Sequence, residues 1–330
     1  MSKIKRNRVI GARGIGVVNG NLNSGFDGNP KTLTNGDFTN SDVSTKFLDR
    51  DFWENTNEKV LIKKRIKEDE TGNLYACTLE EIIYDRVDTS KNINAQILND
   101  YVDVQNFGAA ITVSKINLGT TGVCQYYQGV NKIKSAQVVT QEILSPFGTG
   151  NNKKNKTKAK SKSETGEESL NALEENKLST ATNIGKSTFV DKALYVQSFS
   201  VNPENLNNLA ASFKDEEILG YKEENYEKFK KAVLHSATLY NTRSKAGCYD
   251  EFSIFVNIKE GSYFSVADLG RFIDVIYNED EDKVIVDFNK LEFLNEVEDV
   301  ESIEIFYNAL TCDIEHSFNN VTVKNLLCCY

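Results

Sequence analysis

The residue types that could do chemistry in this chain are paired cations, and the chemistry that suits them is the binding of phosphate groups. Lys46 and Arg50 stand four residues apart in a segment with helical periodicity, so both bases project from one side of a helix, opposite part of its apolar face. Lys132 and Lys134 stand two apart in a strand-like pattern and share a face. Cations neutralise phosphates without reading bases. The sequence therefore predicts phosphate contacts at both pairs, with a solvated charged surface as the alternative.

Candidate catalytic groups are few and scattered. The two histidines, His235 and His316, lie far apart and in no nucleophile or metal motif, and His235 falls in an apolar-periodic helix where a structural role is expected. The six cysteines show no CxxC spacing, which predicts reduced thiols and no zinc site. Cys124 lies in a strand pattern and should be buried. No convergent cluster of His, Asp and Glu indicates an enzyme.

The charge of the chain is unevenly distributed. The formal net charge is −9, but the segment 279–304 alone holds eleven acids and two lysines and so accounts for all of it. The remainder is neutral on balance, and its bases are free to form a local basic surface. No stretch approaches the roughly 20 apolar residues of a membrane span, and the basic N-terminus lacks an apolar signal region. We expect a cytoplasmic protein.

The N-terminal half predicts a strand, a loop and a helix. Residues 8–21 are strand-like, but the spacing of the three interior glycines does not fit a dinucleotide fingerprint, so they indicate close packing or the approach of an RNA backbone. Residues 19–36 form a loop rich in Asn and Gly. The helix then begins at Ser41 or Asp42 and should face the core with four apolar side chains. These are Val43, Phe47, Leu48 and Phe52.

The middle of the chain predicts strands and a polar arm. A short helix is expected near residues 79–83, strands over 107–147, and a Gly-rich turn at 118–122. Residues 151–163 contain six lysines, no acid and no large apolar residue, so we expect an arm that orders only on an anionic partner. Its lysines are Lys153, Lys154, Lys156, Lys158, Lys160 and Lys162.

The C-terminal half predicts the remaining elements of an α+β fold. A strand is expected over 184–199, helices over 205–213 and 223–239, and three further strands. Those strands cover 252–258, 283–288 and 302–307. This order suits one sheet packed by helices on one face.

Several short motifs, in order along the chain, resemble a known family. They are Phe26-Asp27-Gly28-Asn29-Pro30, Ser41-Asp42-Val43 with Lys46, Arg50 and Asp51, Phe107-Gly108-Ala109, the set Gly122, Gln125 and Gly129, Ile184-Gly185-Lys186, and Arg243-Ser244-Lys245. Together the motifs resemble the repeated backbone subunit of type I CRISPR surveillance complexes (Cascade), most closely the I-B and I-C branches.

The resemblance implies a fold and a set of contact residues. The fold is an RRM-like (ferredoxin-like) palm in a single domain over 1–330, with a fingers-type insertion at 55–105 and the lysine-rich arm at 148–183 as a thumb. The implied RNA contacts are Lys31, Lys46, Arg50, Gln125, Lys132, Lys134, Lys186, Arg243 and Lys245. The arm is implied to contact RNA, DNA or a neighbouring subunit.

The resemblance also implies a scaffold without catalysis or cofactor, which polymerises along guide (crRNA) RNA as a helical filament in antiviral defence. Its partners are copies of itself, target DNA reached through the guide, a large subunit, a repeat-processing endoribonuclease and a cap subunit. Two alternatives remain open. One is a related endoribonuclease using Asp27, since type III relatives place an aspartate in the comparable loop. The other is a self-assembling structural protein that binds no nucleic acid.

Overall fold

A computed structural model describes residues 3–114, 116–148, 181–212 and 218–328. The helices in this part of the chain are α1 (Asp42–Asn55), α2 (Leu79–Arg86), α3 (Ile93–Asp100), α4 (Val102–Phe107), α5 (Glu204–Ala211) and α6 (Glu223–Leu239). The strands are β1 (Val9–Gly20), β2 (Thr39–Asn40), β3 (Ile66–Glu68), β4 (Leu74–Ala76), β5 (Gly108–Val113), β6 (Ile116–Thr121), β7 (Cys124–Tyr126), β8 (Gly129–Asn131), β9 (Val138–Gly148), β10 (Ala181–Val201), β11 (Cys248–Ile258), β12 (Asp274–Asn278), β13 (Lys283–Asp287), β14 (Val300–Tyr307), β15 (Cys312–Glu315) and β16 (Val321–Asn325).

Within the described residues, nine strands form one sheet around β1. The order is β16-β14-β11-β1-β10-β8-β2, and β7 and β9 also pair with β10. β1 is antiparallel to both of its neighbours, β10 and β11. The three smaller sheets are β12-β13-β15, β3-β4 and β5-β6. The predicted α+β class with a sheet and helices is confirmed.

The helices cover one face of the main sheet. Val9, Phe199 and Phe255, from three neighbouring strands, belong to one buried cluster with Phe229 and Val233 of α6. The ring centroids of Phe199 and Phe229 are 5.5 Å apart in an edge-to-face arrangement. α6 matches its predicted range of 223–239, because its apolar residues recur at helical spacing and pack together against the strands.

The opposite face of the sheet is covered as well. Ile10 and Ala12 of β1 and Ile254 of β11 pack with β13 and with the 3₁₀ helices at Leu269–Phe272 and Asn289–Glu296. β1 is therefore buried on both faces, which explains why its residues, apart from Arg13, do not alternate between apolar and polar over 9–18.

Three of the four glycines of β1 are explained by packing against aromatic rings. A Cβ atom built on Gly11 would lie 2.3 Å from the ring of Phe199, and one on Gly14 would lie 2.2 Å from the ring of Phe252. A Cβ on Gly16 would meet Tyr249 at 2.5 Å. Of the two readings given by the sequence, packing within the protein is the one observed.

The prediction for α1 was right in its position and partly wrong in its orientation. The helix is capped by Ser41, whose side chain accepts from the Ser44 backbone N–H. Leu48 is buried and Phe52 packs against the core, but Val43 is 69% exposed and Phe47 is 37% exposed. The helix is turned because polar residues hold its inner side to the sheet. The buried residues of α1 are Thr45, Leu48, Asp49 and Trp53.

The predicted turn at 118–122 was also wrong. Residues 116–121 form β6, which pairs with β5, so the chain reverses after Val113 instead. Ser114 adopts a left-handed φ of 44° at this reversal. Ile111, Ile116 and Leu118 are buried, and their packing fixes the register of the hairpin in spite of the glycine at position 119.

Candidate nucleic-acid interface

Several segments meet where β1 ends, and we call this region the β1-end surface. It comprises the loop 21–40, the first turns of α1 and the turn 241–247. Asn23 donates to the Ser41 hydroxyl at 3.3 Å, and Asn21 donates to the carbonyl of Thr188 in β10 at 3.1 Å. Lys245 donates to the carbonyl of Leu22 at 3.0 Å. These hydrogen bonds hold the Asn-rich loop against the helix and the sheet.

Lys46 and Arg50 lie over one aromatic ring. The Lys46 ammonium is 5.7 Å from the centroid of Phe107, and the Arg50 guanidinium carbon is 5.2 Å from it. Their side chains are only 14% and 15% exposed. The alternative of a solvated charged surface is not observed, because α1 places both cations against the ring of Phe107. The prediction that the two bases share a side is confirmed.

The guanidinium of Arg50 is fixed through one nitrogen. Its Nε lies 3.2 Å from the buried carboxylate of Asp103, which also accepts from the backbone N–H groups of Leu61 and Ile62 at 2.9 and 2.8 Å. Its two terminal nitrogens have no hydrogen-bond partner among the described residues. A guanidinium held at Nε can donate from both terminal nitrogens to two oxygens of one anionic group, and a phosphate provides such a pair of oxygens.

Gly108 and Gly122 allow two backbone segments to come close together, and this contact positions the ring of Phe107. Gly108 has a φ of 77°, and a Cβ on it would lie 2.3 Å from the Thr120 carbonyl oxygen. A Cβ on Gly122 would lie 2.2 Å from the carbonyl carbon of Phe107. Larger residues would push the two segments apart. Gln125 satisfies the Gly122 carbonyl at 3.2 Å and accepts from Lys46 at 3.4 Å.

The other predicted contact residues divide by exposure. Lys31, Lys186 and Arg243 are exposed and have no ion-pair partner within the described ranges. Lys134 is exposed but pairs with Asp37 at 2.9 Å. Lys132 is partly buried, and burial lowers the pKa of its ammonium although nearby carboxylates oppose the shift. β8 ends at Asn131, so the prediction that Lys132 and Lys134 share a strand face was wrong.

Lys245 has an internal role. Its ammonium donates to the carbonyls of Asn21 and Leu22, and burial lowers its pKa. The residue joins the turn 241–247 to the loop that follows β1. This ammonium therefore holds backbone carbonyls of the loop, and its contact with RNA stays a prediction. The six lysines at 153–162 and most of the arm at 148–183 lie outside the described residues.

Two further candidate chemical groups are Asp27 and Cys124. Both carboxylate oxygens of Asp27 accept from Asn29, at 3.0 and 2.7 Å, and these hydrogen bonds lower the pKa of Asp27. Cys124 is buried, as predicted, and burial raises the pKa of its thiol. Among the described residues, no group of three His, Cys, Asp or Glu side chains could hold a metal ion. No helix in those residues is both long and apolar enough to cross a bilayer.

The sequence interpretation missed a buried ionic cluster beneath this surface. Arg13 of β1 is fully buried and contacts the carboxylates of Asp49 on α1 and Asp250 on β11. Tyr126 and Ser236 donate to Asp49 at 2.7 and 2.8 Å. A charged residue within an apolar strand was the available signal, since such a group needs a buried partner. Asp49 lies between Lys46 and Arg50, so this cluster sets the rotation of α1.

Comparisons with known proteins agree with this architecture. No curated protein matches the chain significantly. A chain of a structure described as "CRISPR RNA-guided surveillance complex, pre-nicking" is similar over 94% of this chain and 96% of its own length, with 12% identity and a TM-score of 0.51. A second, described as "CRISPR RNA-guided surveillance complex", covers 91% and 88% with 12% identity and a TM-score of 0.48. The sequence profile of "CRISPR-associated protein Cas7" matches residues 7–296. Because this match spans most of the 330 residues, the chain belongs to the CRISPR-associated protein Cas7 family.

Proposed function

We propose that this protein is the guide-RNA-binding backbone subunit of a type I CRISPR surveillance complex. The observation that carries the proposal is the family match over residues 7–296. The protein acts in the cytoplasm as a scaffold, assembled in several copies along the guide RNA with the other Cascade subunits. It supports pairing of the guide with target DNA and needs no cofactor.

The central strands support an RRM-like palm. Their order is β11-β1-β10-β8, with α1 following β1 and α6 connecting β10 to β11. An antiparallel sheet of this order with two helices on one face fits a ferredoxin-like unit. Residues 55–105, which contain β3, β4, α2 and α3, are then the fingers-type insertion, and 148–183 are the thumb. We assign the chain to the I-B/I-C branch on its motifs.

The β1-end surface, with Lys46 and Arg50 beside it, supplies the chemistry that this function requires. Lys31, Lys186 and Arg243 add exposed cations. All of these groups contact phosphates in the proposal, and none reads a base edge, so any guide sequence is accepted. The lysine arm is proposed to add contacts to the guide, the target strand or a neighbouring subunit.

Co-purifying RNA tests the function and separates it from the structural alternative. We expect the purified full chain to carry RNA, seen as a raised 260/280 nm absorbance ratio that nuclease treatment lowers. A protein that assembles into tubes or sheaths without nucleic acid, at any salt concentration, would contradict the proposal and favour the structural alternative.

Lys46→Ala tests the phosphate contact at α1. We expect weaker RNA binding and a salt slope reduced by about 1, because one phosphate contact is lost. The free energy of unfolding should fall by about 1 kcal/mol, because Lys46 also loses its contacts with the partly exposed Asp42, with Gln125 and with the ring of Phe107. Fluorescence anisotropy at several salt concentrations measures the slope. The control is Lys259→Ala, because Lys259 is exposed near the opposite end of β1. If the salt slopes of RNA binding were equal for both variants, Lys46 on α1 would make no phosphate contact.

Asp27→Ala tests the endoribonuclease alternative. We expect the wild-type protein to leave complementary RNA intact in the presence of Mg²⁺, because both carboxylate oxygens of Asp27 are occupied by Asn29. The variant should behave identically, which denaturing gel electrophoresis of labelled RNA can show. Cleavage at regular intervals that the substitution abolishes would instead establish the alternative.

A further inference from the structure

Phe26 lies at the tip of the loop after β1 and its side chain is fully exposed. A large apolar side chain in this state gains nothing from folding, since it removes no surface from water. Its neighbours along the chain are Gly25, Asp27 and Gly28. The aromatic ring therefore stands alone at the β1-end surface.

The turn that carries Phe26 is tightly hydrogen-bonded. The Gly25 N–H donates to the Asn29 carbonyl at 2.8 Å, and the Gly28 N–H donates back to the Gly25 carbonyl at 3.1 Å. Asp27 closes the turn by accepting from the backbone and side chain of Asn29. The Asn21 amide attaches it to the body of the protein through the Gly28 carbonyl at 3.2 Å. The exposed ring is thus carried on a fixed backbone, which lowers the entropy cost of binding through it.

The surroundings of the ring suit a nucleobase. Lys31, five residues further along the same loop, is exposed and has no ion-pair partner in the described part of the chain. A protein-docking site is expected to be a contiguous apolar patch, whereas the residues flanking Phe26 are glycine and aspartate. Single-stranded nucleic acid is held by this combination of an aromatic face for a base and cations for the backbone.

We propose that Phe26 is a stacking platform for an unpaired base of the bound RNA strand. The inference rests on the proposed RNA-binding function and adds a contact to a base face that phosphate-binding cations do not supply. The stacking is insensitive to base identity, since every base has a π-face. Phe26 would thereby hold the strand's position on the loop without selecting its sequence.

Two oligonucleotides distinguish base stacking from backbone binding. The full chain, freed of nucleic acid, is titrated with a labelled polyuridine oligonucleotide and with an abasic oligonucleotide of equal length. For Phe26→Ala we expect polyuridine binding about tenfold weaker, an effect typical of one lost stacking contact. Abasic binding and the salt slope should not change, because no charge is lost. Phe26→Trp should bind polyuridine at least as well as the wild type.

Matched controls separate the ring from a general surface effect. Tyr263→Ala removes another exposed aromatic, in the turn after Gly261 and near the start of β1, and should leave both affinities unchanged. Lys31→Ala should lower the salt slope by about 1, unlike Phe26→Ala. Thermal melting should be the same for Phe26→Ala and the wild type.

Several results would contradict the stacking role of Phe26. Wild-type affinity of Phe26→Ala for polyuridine, or an equal loss for both oligonucleotides, would overturn the stacking role and leave the proposed function in place. An oligomeric state that changes in Phe26→Ala without RNA, measured by sedimentation, would overturn it in favour of a protein contact. Failure of the wild type to bind either oligonucleotide would overturn both proposals.

Discussion

Replacing Arg13 by methionine should lower the free energy of unfolding by about 3–5 kcal/mol, the range measured when one partner of a buried ion pair is removed. Arg13 is fully buried, and the substitution leaves Asp49 and Asp250 without their shared cation. Burial already raises the pKa of Asp49, and Arg13 opposes that shift. Without Arg13, Asp49 must stay ionised at high cost or take up a proton. Urea denaturation of the full chain measures the loss.

Two controls show whether the loss comes from the buried charges. Arg6→Met removes an exposed arginine that pairs with Glu260 at 3.9 Å, and should change stability by less than about 1 kcal/mol. Adding Asp49→Asn and Asp250→Asn to Arg13→Met should recover much of the loss, because the unpaired charges are then gone. A stability of Arg13→Met within about 1 kcal/mol of the wild type would contradict a stabilising role for the cluster.

The Arg13 cluster also connects the core to the candidate RNA site. Asp49 holds α1 to β1 and β11 through Arg13, and α1 carries Lys46 and Arg50 on the same turns. A rotation of α1 that released Asp49 would move both cations away from the ring of Phe107. Stability and the geometry of phosphate binding therefore depend on the same buried contact.

The sequence was informative where local pattern and packing agree. α6 was predicted with its observed bounds, because its apolar residues are buried at helical spacing along its length. The strand β1 was predicted for a similar reason. The contact of Phe107 with Lys46 and Arg50 was not predicted, since no local pattern indicates that this ring lies beneath the two cations.

The failures have tertiary causes. Val43 and Phe47 have apolar side chains, but α1 is rotated by Asp49 and Thr45, which hydrogen-bond to Arg13 and Gln197. Polar residues overrode the apolar pattern because their partners are buried and would otherwise be unsatisfied. The internal hydrogen bonds of Lys245 were missed for the same kind of reason, since its acceptors are backbone carbonyls that a sequence motif cannot reveal.

Glu251 is a second buried charge, and its effect should depend on pH. The side chain of this β11 residue is almost fully buried, and one carboxylate oxygen accepts from the Thr311 hydroxyl at 2.7 Å. Its other oxygen makes no well-aligned hydrogen bond with the residues that the structure describes, and the nearby Tyr249 hydroxyl opposes the effect of burial only in part. Burial raises the pKa of Glu251 to about 7 from 4.5. The folded state therefore binds a proton more tightly than the unfolded chain does, and ionisation at higher pH destabilises the fold.

Glu251→Gln should remove this pH dependence. The folded pKa lies above the unfolded value, so the contribution of the proton to stability is complete below pH 4.5 and is lost as the pH rises through 7. Between about pH 5 and pH 8, the variant should gain about 2–3 kcal/mol relative to the wild type, given 1.36 kcal/mol per pKa unit. Urea denaturation at the two pH values measures this difference. Any effect of the substitution that does not depend on pH is the same at both values and is removed by the comparison. Glu298→Gln, which changes an exposed glutamate, should show no such gain. Parallel pH profiles for Glu251→Gln and the wild type would mean that Glu251 is ionised in the fold at pH 5 and has a compensating partner.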